Sequence, residues 1–190
     1  MNTKSEFIDY VEDSLSVLGY RQVSRGVFRK PSDDFEYQVG LSFAGKVALT
    51  CNIYFGFWIE SVEVQAGNHS SVQLQRVSGA RNVATVFGTL DIIGKWSDID
   101  VGYLIDLDRD WSEQMAKPFR AVPSIERKVR SLNDVAILAT SLLSLPLGHH
   151  AFRVPILLKN MNNDKLFDEY TEYVKSTGFI QGYVDFLERL

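Results

Sequence analysis

The sequence predicts an α+β fold in which strands fill the first part of the chain and helices the second. Near the N-terminus, apolar residues recur every three or four positions, as on an amphipathic helix. The middle of the chain alternates apolar and polar residues, which is the pattern of half-buried strands. Helical periodicity returns after Trp111, and strands followed by helices indicate α+β rather than alternating α/β. We therefore expect an N-terminal helix, an antiparallel meander sheet and C-terminal helices packed on one side.

Composition and charge are those of an ordinary globular protein with a negative balance. The chain has 190 residues, of which 45% are hydrophobic and 23% charged, and its formal net charge is −4. This length suits one domain over residues 1–190, in which the mostly helical residues 112–190 can form a subdomain. The negative charge disfavours non-specific binding to nucleic acid and favours a cationic partner.

The sequence carries no sign of a secreted or membrane protein. The N-terminal "MNTKSEFIDY" lacks the basic and apolar regions of a secretory signal. The most apolar stretch, Val135–Leu147, is too short to span a bilayer. Cys51 is the single cysteine, which excludes an intramolecular disulfide and a zinc site built from cysteines. We expect a cytoplasmic protein that binds no metal, cofactor or membrane.

The chain is predicted to open with a helix that has a capping box at its start. Thr3 and Glu6 have the spacing of a capping box, in which each side chain accepts the other residue's backbone N–H. Gly19 can take the left-handed conformation that ends a helix. Between them, one apolar stripe is formed by Phe7, Val11, Leu15 and Leu18.

Two long strands follow and are predicted to pair as a hairpin. Apolar and polar residues alternate over Asp34–Phe43 and again over Val47–Ile59. Ala44 and Gly45 form the turn between them, because glycine accepts a positive φ. The alternation places Cys51 in the apolar row, so we interpret it as a small buried hydrophobic residue and not as a nucleophile.

Tyr54 and Trp58 fall on the opposite, more polar face of the second strand. Two interpretations are open. They lie beneath another element, or they are exposed anchors for a partner protein, a role in which both residue types are common. Past this strand, "SVEVQ" (61–65) and "ATVFGTLDII" (84–93) are predicted to be further strands.

The C-terminal part is predicted to be helical. A long helix runs from about Ser124 to Leu145, where Pro146 and Gly148 end it, and Asn133-Asp134 can break it into two pieces. Basic residues cluster around the start of this helix and are interpreted as its solvated face: Arg120, Arg127, Lys128 and Arg130. Two shorter helices follow, one capped by Asn163 and stopped by Gly178, and one running through Tyr183–Leu190.

The stretch "DIDVGYLIDLDRDW" (98–111) contains five aspartates. Apolar residues fall mainly on odd positions and every carboxylate on an even position, so we predict a strand with one face in the core and one in water. The carboxylate face carries Asp98, Asp100, Asp106, Asp108 and Asp110. Three interpretations are open: a solvated face, which is the usual case for charge runs, an acidic docking face for a basic partner, or a metal site.

The metal interpretation is the most restricted of the three. Asp106, Asp108 and Asp110 have the spacing that opens an EF-hand loop, but Trp111 replaces the glycine of that loop and Lys117 replaces its glutamate. An EF-hand is therefore excluded. Paired carboxylates can also hold magnesium for hydrolysis, so a metal-dependent hydrolase centred on Asp106 and Asp108 stays open as an alternative.

The histidines offer no recognisable catalytic motif. His149 and His150 follow "SLPLG" in a predicted loop, and adjacent side chains on a regular element diverge, which disfavours a shared metal. His69 lies in another predicted loop, "GNHSS". The sequence contains no P-loop, no dinucleotide-binding glycine motif and no G-x-S-x-G elbow, so we predict no catalytic residue.

The first sixty residues resemble a known class of proteins. A helix ends in "LSVLGYRQ", a short strand contains "RGVFRK", and two aromatic-rich strands, "FEYQVGLSF" and "VALTCNIYFGF", follow. This order is similar to the opening of small uncharacterised bacterial α+β domains, some of which stand beside polymorphic toxins, where immunity proteins are typical. The resemblance covers the first third of the chain and defines no site residues.

The resemblance and the charge pattern together suggest a non-catalytic immunity protein that binds a cognate toxin and neutralises it. The five aspartates would steer a basic toxin, and Tyr54 and Trp58 would anchor it. Two alternatives remain. One is a secretion chaperone, which would be an obligate homodimer that binds an extended client, and the other is the hydrolase.

Overall fold

The computed structural model of the chain describes residues 3–45, 49–68, 83–141, 147–178 and 182–190. The strands are β1 (Arg21–Ser24), β2 (Val27–Pro31), β3 (Glu36–Ala44), β4 (Thr50–Trp58), β5 (Val86–Thr89) and β6 (Leu104–Asp106). The helices are α1 (Thr3–Ser16), α2 (Glu60–Gly67), α3 (Leu90–Trp96), α4 (Trp111–Lys128), α5 (Leu132–Ser141), α6 (Leu147–Asn160), α7 (Asp164–Ser176) and α8 (Tyr183–Leu187). The described chain thus runs from one helix through the strands, interrupted by α2 and α3, to a helical C-terminal part.

The strands form an antiparallel sheet with β4 at its centre. β1, β2, β3, β4 and β5 lie side by side in that order, as a meander, and β6 returns to pair with β4. β3 occupies one edge of β4, whereas the other edge is shared: residues 50–52 face β6 and residues 54–57 face β5. A helix before the sheet and helices after it confirm the predicted α+β class.

One face of the sheet, here called the core face, is apolar and covered by helices. Phe7 of α1 is fully buried there, and its ring centroid lies 5.6 Å from that of Trp111 at the start of α4. Because side chains alternate between faces along a strand, the buried apolar residues of β3 and β4 occur at every second position. They are Tyr37, Val39, Cys51, Ile53, Phe55 and Phe57. The buried cluster extends as far as Phe186 in α8.

Glu126 ties the end of α4 to the sheet. Its carboxylate accepts hydrogen bonds from the Tyr20 hydroxyl (2.8 Å) and from Lys30 Nζ (2.6 Å). The Tyr37 hydroxyl donates to the carbonyl of Val129 (2.7 Å), just past the same helix. Burial, reinforced by the Glu126 carboxylate, raises the pKa of Tyr20. These contacts fix α4 across the core face.

Several local predictions are confirmed. The N-terminal helix is present as α1 over Thr3–Ser16, and Gly19, three residues past its end, takes a positive φ of 87°. β3 and β4 pair in the predicted hairpin. The Asn163 side chain caps α7 by accepting a hydrogen bond from Leu166 N (3.2 Å), and Gly178 follows that helix with a φ of 65°.

Two predicted strands are wrong, one wholly and one in part. The segment "SVEVQ" lies in the helix α2, where Val62 and Ala66, four residues apart, are buried and Val64 is exposed. That spacing is the period of a helix, and the alternation with period two is misleading over so short a segment. In "ATVFGTLDII", Val86–Thr89 forms a strand, and the chain from Leu90 belongs to α3.

The prediction of a single strand over residues 98–111 is also wrong. Within that stretch, Leu104–Asp106 forms β6. Asp98 sits in a turn after α3 with a φ of 60°, and Asp110 is the N-cap of α4. The alternation nevertheless marks burial, since its apolar row includes the buried residues Val101, Ile105 and Leu107.

The predicted long helix has the wrong boundaries. α4 begins at Trp111 and contains Pro118 and Pro123, whereas the prediction starts the helix after both prolines. α5 begins at Leu132, so the break lies at residues 129–131 and not at Asn133-Asp134. A proline lacks the backbone N–H that the interior of a helix uses, so prolines usually lie in the first turn of a helix or outside it. α4 departs from this rule, because both prolines lie inside it.

A related correction concerns the start of α6. Gly148 does not end a helix but lies in the first turn of α6, and His149 and His150 lie in the same turn rather than in a loop. Adjacent residues on a helix were expected to diverge, and their actual contacts are described below.

Some predictions fall on residues that the structure does not describe. These are the start of the second hairpin strand at Val47, the loop at His69, and the end of the long helix at Leu145 and Pro146. Among the helices that the structure does describe, none has the length and apolar character needed to cross a membrane.

Candidate docking surface

The second face of the sheet, opposite the core face, carries the predicted anchors Tyr54 and Trp58. Residues that oppose each other in an antiparallel pair have side chains on the same face. Tyr54 opposes Gly40 in β3, and Asn52 opposes Leu104 in β6. Because Asn52 and Tyr54 are two residues apart on β4, Leu104 and Tyr54 lie in neighbouring rows of the second face.

A cleft of about 340 Å³ lies on this face beside Tyr54. Gly40 leaves space in it, since a Cβ added there would have the Tyr54 Cβ as its nearest neighbour, at 3.9 Å. The Tyr54 ring packs edge-on against Phe87, with centroids 6.0 Å apart, and Val27 and Gln38 also line the cleft. Tyr54 is half-buried, so its side chain forms part of the cleft wall and is partly exposed to solvent.

Trp58 is held by a stacked arginine. The Arg29 guanidinium lies 3.8 Å from the centroid of the Trp58 ring. Arg29 Nε donates to Gln38 Oε1 (2.9 Å), and Arg29 Nη1 pairs with Glu36 (3.4 Å). Burial lowers the pKa of Arg29, and the Glu36 charge opposes that shift. One face of the half-buried Trp58 ring is therefore already occupied within the fold.

The five predicted aspartates do not share one strand face, but they surround β6. Residues 98–110 are here called the acidic segment. Asp106 is half-buried, and the other four aspartates are exposed. Asp98 and Asp100 precede β6, Asp106 ends it, and Asp108 and Asp110 follow it before α4.

Asp98 and Asp106 have partners within the fold. Asp98 pairs with Lys128 Nζ at 2.7 Å, which links the turn after α3 to the end of α4. Asp106 Oδ1 accepts the backbone N–H of Asp108 (3.0 Å), and its Oδ2 pairs with Arg109 Nε (3.0 Å). The Asp106 carboxylate therefore stabilises the turn that follows β6.

Asp110 caps the N-terminus of α4. Its Oδ1 accepts hydrogen bonds from the hydroxyl and the backbone N–H of Ser112, both at 2.8 Å. These bonds hold the pKa of the Asp110 carboxyl below its usual range. By contrast, the carboxylates of Asp100 and Asp108 are exposed and, within the described residues, take part in no hydrogen bond or ion pair. These two are available to a partner.

Two large apolar side chains stand exposed in the middle of the acidic segment. The exposed fractions are 37% for Tyr103 and 54% for Leu104. The alternation assigns Tyr103 to the core row, so sequence reasoning misses both residues as surface features. The sequence contains one signal of this exposure: Leu104 is a large apolar residue at an even-numbered position, on the predicted solvent face that carries the aspartates.

His149 and His150 hold the edge of β5. His150 Nε2 accepts the Phe87 N–H (3.0 Å), and His149 Nε2 donates to the Ala84 carbonyl (2.9 Å). The two ring centroids are 5.2 Å apart, and both rings contact Phe87. Burial, followed by the charges of Arg153 and His150, lowers the pKa of His149 to about 2. The pair is thus a structural contact between α6 and the sheet.

The remaining candidates are the Cys51 thiol and a metal site. Cys51 is fully buried, and burial raises the pKa of its thiol to about 12, so the thiolate does not form near neutral pH. Among the residues that the structure describes, no three His, Cys, Asp or Glu side chains come together in a group that could hold a metal ion. Comparison of the chain with protein-family models, curated proteins and solved structures finds no match.

Proposed function

We propose that the protein is a non-catalytic bacterial binding protein, an immunity protein that neutralises a cognate toxin by docking it on the acidic segment. The observation that carries the proposal is the exposed pair Tyr103 and Leu104 at the centre of this segment, with exposed aspartates on both sides. Protein interfaces combine an apolar, desolvated centre with a polar rim. The acidic segment has both parts.

The charge of the segment favours a basic partner. Asp100 and Asp108 are exposed on either side of the apolar pair, in a chain of net charge −4. Acidic groups at the rim of an interface raise the association rate with a cationic partner and oppose an acidic one. A toxin that acts on nucleic acid presents a basic surface to its substrate. An acidic protein docked on that surface would block it.

The second face of the sheet extends the proposed surface beyond the acidic segment. Leu104 and Tyr54 occupy neighbouring rows, so a partner that covers Leu104 reaches the cleft beside Tyr54. Trp58 lies two rows beyond Tyr54 and is stacked by Arg29. In the proposal, Leu104 and Tyr54 are the apolar anchors on this face, and Trp58 supports the wall behind them. Tyr103, next to Leu104 in the chain, is exposed in the acidic segment and adds an apolar contact there.

Reversing Asp100 and Asp108 to lysine should weaken partner binding without unfolding the protein, because neither carboxylate contacts a polar group among the residues that the structure describes. We expect a loss of affinity of about tenfold or more, since two attractions become repulsions. The partner is first captured from the host with the tagged wild-type protein and quantified by mass spectrometry, and its Kd for both forms is then measured. A growth assay tests whether the partner is toxic alone and harmless when the wild-type protein is co-expressed.

The matched control is Asp33→Lys with Asp34→Lys, which changes the net charge by the same amount. Both aspartates are exposed in the turn between β2 and β3, at the end of β3 that is remote from β6. This control should bind the partner as the wild type does. Equal binding by the Asp100 and Asp108 variant would overturn the acidic docking, and a partner that is harmless on its own would overturn the immunity function. Several unrelated secreted clients would indicate a secretion chaperone instead.

A further inference from the structure

The outer edge of β6 is defined by its pairing with β4. Ile53 N donates to the Tyr103 carbonyl (2.7 Å), and Leu107 N donates to the Leu49 carbonyl (2.9 Å). In an antiparallel pair, alternate residues turn their backbone N–H and C=O towards the partner strand. Odd-numbered residues of this stretch therefore face β4, and the backbone groups of Leu104 point to the outer edge.

Two residues further along the same edge, the backbone of Asp106 is hydrogen-bonded to a side chain. Asp106 N donates to Gln114 Oε1, and Gln114 Nε2 donates to the Asp106 carbonyl, both at 2.9 Å. One amide side chain from α4 thus takes the place that a neighbouring strand would occupy. Folded proteins cover strand edges in such ways because an open edge invites pairing with another chain.

None of the residues that the structure describes pairs with Leu104 on this edge. Within the described residues its backbone N–H and C=O have no hydrogen-bond partner, and its side chain is 54% exposed. Gly102, the preceding outward position, is exposed, and a Cβ added there would meet nothing within 4 Å. Another chain therefore has room to approach the backbone at this point.

We propose that the partner adds a strand along this edge at Leu104, and that the added segment is extended and basic. The inference rests on the proposed function, because it specifies how the partner docks on the acidic segment. Leu104 N–H would donate to the added strand and its carbonyl would accept from it, as in other cases of strand addition. Lysine or arginine side chains on alternate positions of the added strand would then meet Asp100 and Asp108.

Charge argues for this occupant over a second copy of the chain. Two copies joined through β6 would bring the exposed Asp100 and Asp108 of both copies close together, and like charges across paired strands are destabilising. A basic segment turns the same carboxylates into favourable contacts. Gln114 limits the open edge on one side, so the added strand would be short.

The probe is a short synthetic peptide that alternates lysine with valine and is blocked at both ends. Its control carries the same number of lysines but has proline in place of the central valines, which keeps the charge and removes backbone donors. We expect the alternating peptide to bind the full-length protein at least about tenfold more tightly, because each backbone hydrogen bond contributes several-fold to affinity. Fluorescence anisotropy measures both Kd values.

The variant that tests the edge is Leu104→Pro, which removes the outward N–H and leaves the odd-numbered partners of β4 intact. Leu104→Ala is its control, because it shortens the side chain and keeps the N–H. The proline variant should lose about tenfold in affinity for the alternating peptide, and the alanine variant should lose clearly less. Thermal unfolding establishes that both variants are folded.

Amide hydrogen exchange of the wild-type protein gives a second readout that needs no variant. The Leu104 N–H, which has no acceptor among the residues of the free protein that the structure describes, should exchange slowly once the peptide is bound. Residue-resolved exchange by NMR, with and without the alternating peptide, measures this protection. Unchanged exchange at Leu104 under saturating peptide would overturn the strand addition.

The outcomes separate this inference from the proposed function. If Asp100→Lys with Asp108→Lys weakens peptide binding but Leu104→Pro does not, the acidic docking stands and the added strand is overturned. If Leu104→Pro weakens binding and the charge reversal does not, the edge stands and the acidic docking fails. Failure of the peptide to bind at all, or a dimer in sedimentation that Leu104→Pro abolishes, overturns the proposed occupant.

Discussion

The aspartates of the acidic segment divide by what their carboxylates contact. Asp106 and Asp110 accept backbone N–H groups, one in the turn after β6 and the other at the start of α4. Asp100 and Asp108 are exposed and serve no such contact within the described residues. A carboxylate that accepts backbone hydrogen bonds is stabilised in its charged form, which lets several aspartates stand close together. The same run of residues can therefore build local structure and present charge.

Gly56 is a second residue whose identity the packing dictates. A Cβ added at Gly56 would lie 2.6 Å from the Val86 carbonyl oxygen and 2.7 Å from the Cβ atoms of Ala84 and Phe87. β4 and β5 would have to move apart to admit it. We expect Gly56→Ala to lower the free energy of unfolding by about 2 kcal/mol, the usual cost of overpacking a tight contact. Urea unfolding of the variant and the wild type measures the difference.

Gly40 provides the control for this prediction, because it is a glycine of the adjacent strand that faces the cleft. Its added Cβ would come no closer than 3.9 Å to a neighbour, so Gly40→Ala should change the free energy of unfolding by less than about 0.5 kcal/mol. Equal destabilisation by the two substitutions would show that the loss comes from replacing glycine in a strand and not from the close approach at Gly56.

At the level of elements, long amphipathic patterns are predictable from the sequence and short ones are not. α1 and the two strands of the β3–β4 hairpin each have 9 residues or more. Over that length, the spacing of apolar residues fits either the helical or the strand period, but not both. α2 has only 8 residues, and there Val62 and Val64 fit a strand as well as Val62 and Ala66 fit a helix. The shorter the element, the more its conformation depends on what packs against it.

The acidic segment shows a different limit of sequence reasoning. Its alternation reproduces the burial of Ile105 and Leu107, although a turn, a short strand and a helix cap replace the single predicted strand. The exposure of Tyr103 and Leu104 depends on which elements pack around β6, and no local pattern contains that information. The cap at Asp110 was within reach, because aspartate before a helix accepts the first backbone N–H groups.

α2 and α6 are joined by an ion pair with little access to water. Arg153 Nε and Nη2 lie 2.8 Å and 3.2 Å from the two carboxylate oxygens of Glu63, and each side chain is 15% exposed. Removing one partner leaves the other charge poorly solvated. We expect Glu63→Ala and Arg153→Ala each to cost about 2 kcal/mol, and the double variant to cost less than their sum by about 1–2 kcal/mol.

The control is an exposed pair on a single helix. Lys165 Nζ and Glu169 Oε1 are 3.9 Å apart, and both side chains are largely exposed. A double-mutant cycle on this pair should give a coupling of less than about 0.5 kcal/mol. If the cycle on Glu63 and Arg153 gives a coupling as small, the two helices are held by their apolar contacts and not by the ion pair.

Across the whole molecule, α6 meets the sheet along the outer edge of β5, whereas α4 lies across the core face. His150 accepts the Phe87 N–H there, and His149 donates to the Ala84 carbonyl, so α6 covers backbone groups next to the sheet edge. α6 also packs against α2 and α7, and its Phe152 ring lies 4.9 Å from that of Phe186 in α8. Loss of the histidine contacts would therefore weaken the link between α6 and the sheet.

Mild acid should weaken that link. The pKa of His149 is about 2 in the folded protein, because burial disfavours the charged ring, and its ordinary value is 6.5. The unfolded chain therefore binds an extra proton below about pH 6.5, and stability that is complete above this pH is lost as the pH falls. The charges of Arg153 and His150 lower the pKa further, and Glu63 is paired with Arg153.

His149→Gln should remove most of this dependence on pH, because glutamine keeps a donor for the Ala84 carbonyl and does not titrate. We expect the wild type to lose about 2 kcal/mol of unfolding free energy through His149 between about pH 7.5 and about pH 5, and the variant to be spared that loss. The window lies above the range in which Asp110 and Asp134, whose pKa values are lowered, take up protons. Urea unfolding at both pH values measures the two losses. The same loss in both proteins would mean that another group, and not the buried His149, takes up the proton on unfolding.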